Sequence, residues 1–340
     1  MRSRFKQLSL AAFAAFAATA APAMAQTADL EAAFDRALGT ELRAPQTYDA
    51  IYDSSFERRI AQLADGDRGR IGVAAVDLAT GEEVAVLGDQ FFPMASTSKI
   101  AVAATFLEMV EQGKYSLTSE FPLMIPVASA KFSSSKAPVR KGEYMQAIDL
   151  IEIMITRSSN PATDALLAAV GGPAKVNDWV RRQGIKEFSI DRDIATLVRD
   201  DGEYDPASFI DKRDAATPRA MAEMLKGFYQ GKYLSAEGRR VLLGAMSRTR
   251  TGKRRIPANM PMEARVSHKT GSLNNTSSDI GIIETPDGRA IAVAIYVTGQ
   301  GSRLAREQRI AQIARALYDG FEVRARTRGP NWTSATSSGG

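Results

Sequence analysis

Ser96 and Lys99 lie three positions apart where the apolar run DQFFPM leads into the helical pattern STSKIAVAATFLEMVEQGK. In a helix this spacing places both side chains on one face, with about 5 to 6 Å between Cβ atoms. A buried lysine loses its proton more readily than an exposed one and can then accept the proton of a serine hydroxyl. The same spacing occurs in the N-terminal segment and in the polar stretch KFSSSKAPVRK, but only Ser96 precedes a strongly apolar helix. The pattern therefore predicts a nucleophilic Ser96, and the alternative is an ordinary helix N-cap.

A second set of polar groups lies in the stretch RSSN, where an apolar helical stripe ends. A hydroxyl such as that of Ser158 can relay a proton to a leaving nitrogen, and the Asn160 amide can hold a substrate carbonyl. Taken alone, the stretch is equally typical of a polar helix terminus.

The stretch HKTGS is the third candidate, because Lys269 and Thr270 place a cation and a hydroxyl on a predicted strand. Gly271 removes a side chain where a ligand must approach closely, and the backbone N–H of Ser272 can donate to an oxyanion. Two more strand patterns follow, which favours the edge of a sheet facing a cleft over the alternative, a surface hairpin.

The elements that must position these residues fall into a simple order, with strand patterns near both ends and helical patterns between them. The predicted helices cover residues 30–42, 56–63, most of 96–230 and 303–318, and the predicted strands cover 71–76, 83–87 and the runs EARVSHKTGS, SSDIGIIET and AIAVAIYVT. This order predicts an α+β fold in which an antiparallel sheet, flanked by terminal helices, carries an inserted all-helical lobe. Small-molecule sites usually lie in the cleft between two such lobes.

The predicted domain organisation has three parts. Residues 1–25 are predicted as a signal peptide, 26–323 as one catalytic domain, and the polar, Gly/Ser-rich residues 324–340 as a disordered tail. Within the catalytic domain, the α/β lobe covers about 30–95 and 235–323 and the helical lobe about 96–234.

The N-terminal segment begins with Arg2, Arg4 and Lys6, continues with an uncharged apolar stretch and ends in Ala-Met-Ala. This is typical of a secretory signal, and the alternative, a membrane anchor, suits it less because the stretch is short and contains Pro22. We expect a periplasmic or secreted protein with no membrane span after removal of the signal. Removing the three basic residues lowers the formal net charge from +5 to +2.

The composition, 44% hydrophobic and 24% charged over 340 residues, is typical of a globular protein and excludes several kinds of chemistry. The chain has no cysteine and a single histidine, His268, so thiolate catalysis and multi-histidine zinc sites are excluded, and we expect no metal and no cofactor. A basic cluster without interleaved aromatics is interpreted as solvated surface, so we expect no nucleic-acid partner. Its members are Arg248, Arg250, Lys253, Arg254 and Arg255. We expect a monomer.

Taken in order, the stretches around Ser96, Ser158 and Lys269 resemble the S-x-x-K, S-D-N and K-T-G motifs of serine β-lactamases and penicillin-binding proteins. The flanking sequence from about residue 60 to 321 is similar to class A β-lactamases. The resemblance implies that Ser96 is the acylated nucleophile, Lys99 its activating partner and Ser158 a proton relay.

The same resemblance implies the binding residues. Asn160 would orient the lysine and the substrate, and Lys269 and Thr270 would bind a substrate carboxylate beside Gly271. The backbone N–H groups of Ser96 and Ser272 would form the oxyanion hole.

Two positions depart from the family pattern. Ser159 stands where the family has an aspartate, and we expect a changed hydrogen-bond network at that helix end. Ile194 stands where class A enzymes have the glutamate that activates the deacylating water. An isoleucine cannot accept a proton, so either deacylation is slow or another carboxylate of the loop takes the role. The candidates are Asp193, Asp200, Asp201, Glu203 and Asp205.

The function that this resemblance implies is hydrolysis of the C–N bond of β-lactams by an exported serine hydrolase through an acyl-enzyme. Two alternatives stay open: a related peptidase, esterase or amidase with a peptide-like, non-antibiotic substrate, and a non-catalytic penicillin-binding sensor.

Overall fold

The computed structural model describes residues 54–328, and its largest sheet combines strands from both ends of that range. The strands of this sheet are β1 (Ile71–Asp77), β2 (Glu83–Val86), β8 (Arg265–Leu273), β9 (Thr276–Glu284) and β10 (Ala290–Thr298). They are antiparallel, as predicted from the strand patterns at the two ends, and they lie in the order β2-β1-β10-β9-β8. The predicted signal peptide, the predicted helix over residues 30–42 and residues 329–340 of the predicted tail lie outside the described residues.

Helices and short strands make up the rest of the described chain. The helices are α1 (Ser55–Leu63), α2 (Lys99–Glu111), α3 (Ala147–Thr156), α4 (Asn160–Ala169), α5 (Pro173–Arg182), α6 (Ile194–Arg199), α7 (Pro218–Tyr229), α8 (Ala236–Ser247) and α9 (Arg303–Arg328). The strands outside the large sheet are β3 (Phe92–Pro93), β4 (Glu120–Pro126), β5 (Val139–Gln146), β6 (Phe188–Ser189) and β7 (Ala215–Ala216). Among the helices within residues 54–328, none has the length and apolar content that crossing a membrane requires.

Alternate residues of the central strands face two different cores, because side chains along a strand point to opposite faces. On β1, Val73 and Ala75 belong to one buried cluster and Ala74 to the other. On β10, Val293 pairs with Ala75 and shares its cluster, whereas the next residue, Ala294, belongs to the other cluster. Both faces are covered, which explains why β10 is a continuous apolar run.

The two terminal helices, α1 and α9, pack together on one face of the sheet. A capping box starts α1, with Ser54 Oγ accepting from the Glu57 N–H at 3.1 Å. The last helix continues past its predicted end at residue 318 to Arg328, so residues 324–328, predicted as part of a disordered tail, are helical. Ion pairs of Arg324 with Glu57 and Glu82 hold this last part of α9 against the fold.

The other face of the sheet carries the larger core, with α2 at its centre. Every residue of α2 from Lys99 to Leu107 is buried, as expected for a helix that is apolar on all sides. The lobe over about residues 96–234 was predicted to be all-helical. It is not, because β4 and β5 pair into a two-stranded sheet. Most of β5 is exposed, so the pair shows little of the apolar alternation by which a strand is recognised.

A small sheet in the order β3-β7-β6 ties the segment before Ser96 to both ends of the loop that contains α6. Phe92 on β3 pairs with Ala216 on β7, and Phe188 on β6 pairs with the same residue. The Met94 N–H donates to the Asp214 carbonyl at 3.0 Å. The loop and the start of the Ser96 helix are therefore held in fixed relation.

Candidate active site

Ser96 lies in a 3-10 helix (Ala95–Ser98) that leads directly into α2. Neither helix has a side-chain capping hydrogen bond, so Ser96 is not an N-cap in this structure. Ala95 has φ of 50°, a left-handed conformation that is costly for a residue with a Cβ. The Lys99 N–H donates to the Ser96 carbonyl, which places the two residues one turn apart, as their spacing predicts.

The Lys99 side chain is completely buried at the start of α2. Its Nζ donates to the Ser158 carbonyl at 2.8 Å, to Asn160 Oδ1 at 2.7 Å and to Ser158 Oγ at 3.3 Å. Burial lowers the pKa of Lys99 well below its ordinary value; the charge of Lys269 lowers it further, and the charge of Asp164 opposes both. A lysine in this state can lose its proton and act as a base toward a neighbouring hydroxyl.

Ser158 and Asn160 lie at the junction of α3 and α4, where the sequence predicted a relay and a substrate-orienting amide. Ser158 has φ of 58°, and its Oγ accepts a hydrogen bond from Lys99 and another from Lys269 at 3.0 Å. Ser159 is the N-cap of α4, since its Oγ accepts from the Ala162 N–H at 3.3 Å. The serine in place of the family's aspartate therefore caps the helix that carries Asn160.

Lys269 and Thr270 lie on β8, the edge strand of the large sheet, as predicted. Lys269 is completely buried, and burial lowers its pKa to about 7, with the charge of Asp279 opposing this shift and that of Arg255 adding to it. Its Nζ also donates to the Thr270 carbonyl at 2.9 Å. The Thr270 hydroxyl lies 2.7 Å from that of Thr251, a partner that sequence reasoning missed.

Gly271 is required for a reason that differs from the expected approach of a ligand. A Cβ at this position would lie 2.5 Å from the Met94 carbonyl oxygen and 2.4 Å from Ser278 Oγ. Strand β8 therefore lies directly against the segment that precedes Ser96, and a side chain here would separate the two.

Arg255 was predicted to belong to a solvated basic surface, and this prediction is wrong, because its side chain is 1% exposed. The guanidinium donates to the carbonyls of Gly271 at 2.8 Å and Ser278 at 2.7 Å and to Ser272 Oγ at 2.6 Å. It also pairs with Glu307 at 3.1 Å. Arg255 thus supports β8 and β9 from behind the site, whereas the other four basic residues of the cluster are exposed as expected.

The loop between Arg192 and Asp214 is closed at its base by an ion pair of these two residues at 2.6 Å. Inside it, Ile194 begins α6 and is 6% exposed. The five candidate carboxylates all have partners in the loop or in the turns beside it, and none of these contacts, within residues 54–328, involves the serines or lysines of the site. They are Asp193 with the Thr196 N–H, Asp200 with Arg199 and the Phe132 N–H, Asp201 with the Asn274 N–H, Glu203 with Arg213, and Asp205 with Asn275.

Asp164 on α4 is a carboxylate near the site that sequence reasoning missed. Its side chain accepts the backbone N–H of Ile194 at 2.7 Å and that of Ala195 at 2.8 Å. Burial raises its pKa to about 6, although the two N–H groups and the charge of Lys99 favour its ionised form. The available signal was an acid in the otherwise apolar helix NPATDALLAA, one turn after Asn160.

Within the part of the chain that the structure describes, no group of three or more His, Cys, Asp or Glu side chains is placed to hold a metal ion. The reactive groups that the structure brings together here are hydroxyls, amines and amides. Both lysines have lowered pKa values, so each loses its proton more readily than an exposed lysine does.

The chain is similar to β-lactamases both in sequence and in structure. Residues 55–321 match a family model described as the β-lactamase enzyme family. The extended-spectrum β-lactamase PER-1 of Pseudomonas aeruginosa is 30% identical over 283 residues, which cover 79% of this chain and 88% of that protein. An ancestral class A β-lactamase is 34% identical with a TM-score of 0.65, covering 78% of this chain and all of the other (100%).

A further solved structure is a PBP-A variant in an acyl-enzyme complex with penicillin G. It is 26% identical with a TM-score of 0.67, and the match covers 79% of this chain and 96% of that chain. The family match, the similar relatives and the shared fold agree with the arrangement of Lys99, Ser158, Asn160 and Lys269 described above. This chain therefore belongs to the class A serine β-lactamase-like family.

Proposed function

We propose that this chain is an exported active-site-serine hydrolase that opens β-lactams through an acyl-enzyme on Ser96. The observation that carries this proposal is the position of Ser158 Oγ, which accepts hydrogen bonds from Lys99 and Lys269 at the same time. Both lysines are buried and have lowered pKa values, so each can exchange a proton near neutral pH more easily than an exposed lysine.

In the proposed acylation, neutral Lys99 takes the hydroxyl proton of Ser96 while Oγ attacks the lactam carbonyl carbon. The C–N bond then breaks, and the leaving nitrogen receives a proton through Ser158 Oγ. The developing oxyanion is held by the backbone N–H groups of Ser96 and Ser272. Every proton in this step comes from a group of the chain, so no metal or cofactor is required.

Substrate recognition is assigned to the edge of β8. Lys269 supplies a positive charge, and Thr270 and Thr251 supply two hydroxyls that lie 2.7 Å apart. This set suits a carboxylate, which accepts charge-assisted hydrogen bonds. Asn160 has its Oδ1 bound to Lys99, so its NH₂ group is directed elsewhere and suits a substrate carbonyl.

Release of the acyl group is the step for which the site is least equipped. Ile194 cannot act as a base, and loss of a general base typically slows a step by about 10² to 10⁴-fold. The PBP-A variant that holds penicillin G as an acyl-enzyme supports acylation by a protein of this fold. We therefore propose fast acylation followed by slow hydrolysis.

Mass spectrometry of the mature protein after exposure to a β-lactam tests the proposal. We expect a stoichiometric adduct that maps to the peptide containing Ser96 and is absent in Ser96→Ala. With a chromogenic cephalosporin we expect a burst of about one equivalent and then slow turnover. If the protein forms no adduct at high drug concentration, it is not a β-lactam-acylated enzyme.

A second function, as a peptidase, esterase or amidase with a non-antibiotic substrate, is favoured by Ile194 alone. Some acyl groups leave room for the hydrolytic water to approach the Ser96 ester from a side other than that of Ile194. Hydrolysis of such an acyl-enzyme does not need a base at residue 194. This function predicts repeated turnover of a peptide or ester by the same Ser96, with only a single burst on β-lactams.

The proposal extends to export, domain organisation and oligomeric state. We propose export by residues 1–25 with cleavage before Gln26, one catalytic domain and a monomeric state. The mass of the exported protein and its elution from a sizing column test these points.

A further inference from the structure

Asp164 and Asn160 lie one turn apart on α4 and so share a face of that helix. Asn160 Oδ1 accepts a hydrogen bond from Lys99 Nζ at 2.7 Å, which brings this face of α4 against the buried amine. Asp164 itself is 6% exposed. A carboxylate therefore lies buried beside the base of the proposed reaction, although isoleucine occupies the position in the loop where an acid is expected.

The two carboxylate oxygens of Asp164 are bound to the loop. One accepts the N–H of Ile194 and the other accepts the N–H of Ala195. An asparagine at this position has a single acceptor oxygen and would direct its NH₂ group at the second N–H. The aspartate is thus chemically suited to hold the first residues of α6, and it brings a charge that an amide does not.

The charged groups that act on Asp164, Lys99 and Lys269 come from several separate segments of the chain. Lys99 on α2 and Asp193 before α6 act on Asp164, with opposite effects on its pKa. Lys269 on β8 and Asp164 act on Lys99, again with opposite effects. Lys269 in turn is influenced by Asp279 on β9 and by Arg255.

We propose that Asp164 is a positioning residue that strengthens Lys99 as the base for Ser96 while it holds the loop at Ile194. This inference rests on the proposed function. When Lys99 takes the proton of Ser96 it becomes an ammonium, and the ionised Asp164 stabilises that ammonium. Asp164 does not exchange a proton with the substrate; the proton moves from Ser96 to Lys99 and then through Ser158 to the leaving nitrogen.

The test is the single-turnover rate of Ser96 acylation as a function of pH. In Asp164→Asn the Lys99 amine is a weaker base, so its pKa is lower. We therefore expect the acid limb of the pH–rate profile, where the rate falls as Lys99 becomes protonated, to move to lower pH by about one unit. We expect the plateau rate to fall about threefold or more. Asp193→Asn is the matched control, because it makes the same change from carboxylate to amide at the start of α6, where Asp193 accepts the Thr196 N–H. In that control we expect the limb to stay in place.

A limb that does not move in Asp164→Asn overturns the inference, and so does an equal movement in Asp193→Asn, which would indicate that loss of any negative charge at the start of α6 has the same effect. Asp164→Glu, which keeps the charge, is expected to keep the limb near its wild-type position even if the rate falls. A limb in Asp164→Glu that matches the asparagine variant also contradicts the inference.

A measurement on the wild-type protein covers the case in which Asp164→Asn does not fold. The ¹⁵N signal of Lys99 Nζ, assigned by its absence in Lys99→Arg, is expected to respond to pH near 6 as Asp164 titrates. No response in that range overturns the coupling. This titration needs no acylation, so it separates failure of the inference from failure of the proposed function, which the absence of a Ser96 adduct would indicate.

Discussion

At the scale of single residues, the site depends on Ser158 Oγ, which accepts hydrogen bonds from two buried lysines. Two ammonium groups so close together disfavour each other's charge, and burial has the same effect. The pKa of Lys99 is lowered by both causes, and burial lowers that of Lys269 to about 7. The charge on Lys269 is therefore expected to change near pH 7.

Binding of a carboxylate-bearing β-lactam is expected to weaken as pH rises through 7. Lys269 is charged below its pKa of about 7 and neutral above it, so the favourable charge is lost on the alkaline side. In a Ser96→Ala background, which cannot be acylated, we expect the Kd to rise by up to about tenfold between about pH 6 and 8. Isothermal titration calorimetry measures it, with Lys269→Arg as the control whose guanidinium stays charged. A Kd that does not change with pH in the parent background contradicts the assignment.

At the scale of elements, the short helix α6 begins with a buried apolar side chain at the position where we expect the family's acid. Ile194 is 6% exposed, while Val198, one turn further along the same helix, is 48% exposed. The two positions lie one turn apart and differ mainly in their exposure to solvent. This difference makes them a matched pair for testing the missing base.

Ile194→Glu is expected to speed deacylation of the Ser96 adduct by about 10²-fold, because it supplies a carboxylate that can accept a proton from water. Burial of the new group is expected to raise its pKa and to cost stability. The measurement is loss of adduct mass with time after removal of excess β-lactam. Val198→Glu adds the same charge at an exposed position one turn along α6 and should leave the rate unchanged. Equal acceleration in both variants would contradict the positional argument.

At the scale of the whole molecule, the two ends of the described chain are held by contact between α1 and α9. The Phe56 and Phe321 rings meet edge to face with centroids 5.2 Å apart. Gly320 allows this approach, because a Cβ there would lie 2.1 Å from the Phe56 ring. This packing covers the face of the large sheet that lies beneath α1 and α9. The residues that form it are far in sequence from Ser96 and Lys99.

Gly320→Ala is therefore expected to lower the free energy of unfolding by about 1 to 3 kcal/mol, since the added methyl group overpacks the contact. Gly244→Ala on α8 is the control, because its Cβ would meet only the flexible end of Arg248, at 3.3 Å. That change should be neutral or stabilising by up to about 1 kcal/mol. Urea denaturation of both variants provides the comparison, and an equal loss in the two would contradict the packing argument.

Much of the fold follows from local patterns in the sequence. The strands β8, β9 and β10 and the helix after Ser96 were predicted because apolar periodicity is a local property of the chain. The exposed pair β4 and β5 was missed, because its residues show little apolar alternation. The end of α9 was missed because ion pairs with Glu57 and Glu82, distant in sequence, extend a polar helix.

The order and types of the proposed reactive groups can be taken from the sequence alone, as can the fact that residue 194 is not an acid. These groups are Ser96, Lys99, Ser158, Asn160 and Lys269. Which charged residues are buried with them follows only from tertiary packing. The sequence analysis grouped Arg255 with four surface cations and did not single out Asp164, whereas the structure places Arg255 against β8 and Asp164 against the start of α6. Burial and the partners of a charge are set by segments far apart along the chain, so the pKa values and the electrostatic role of a residue are properties of the fold.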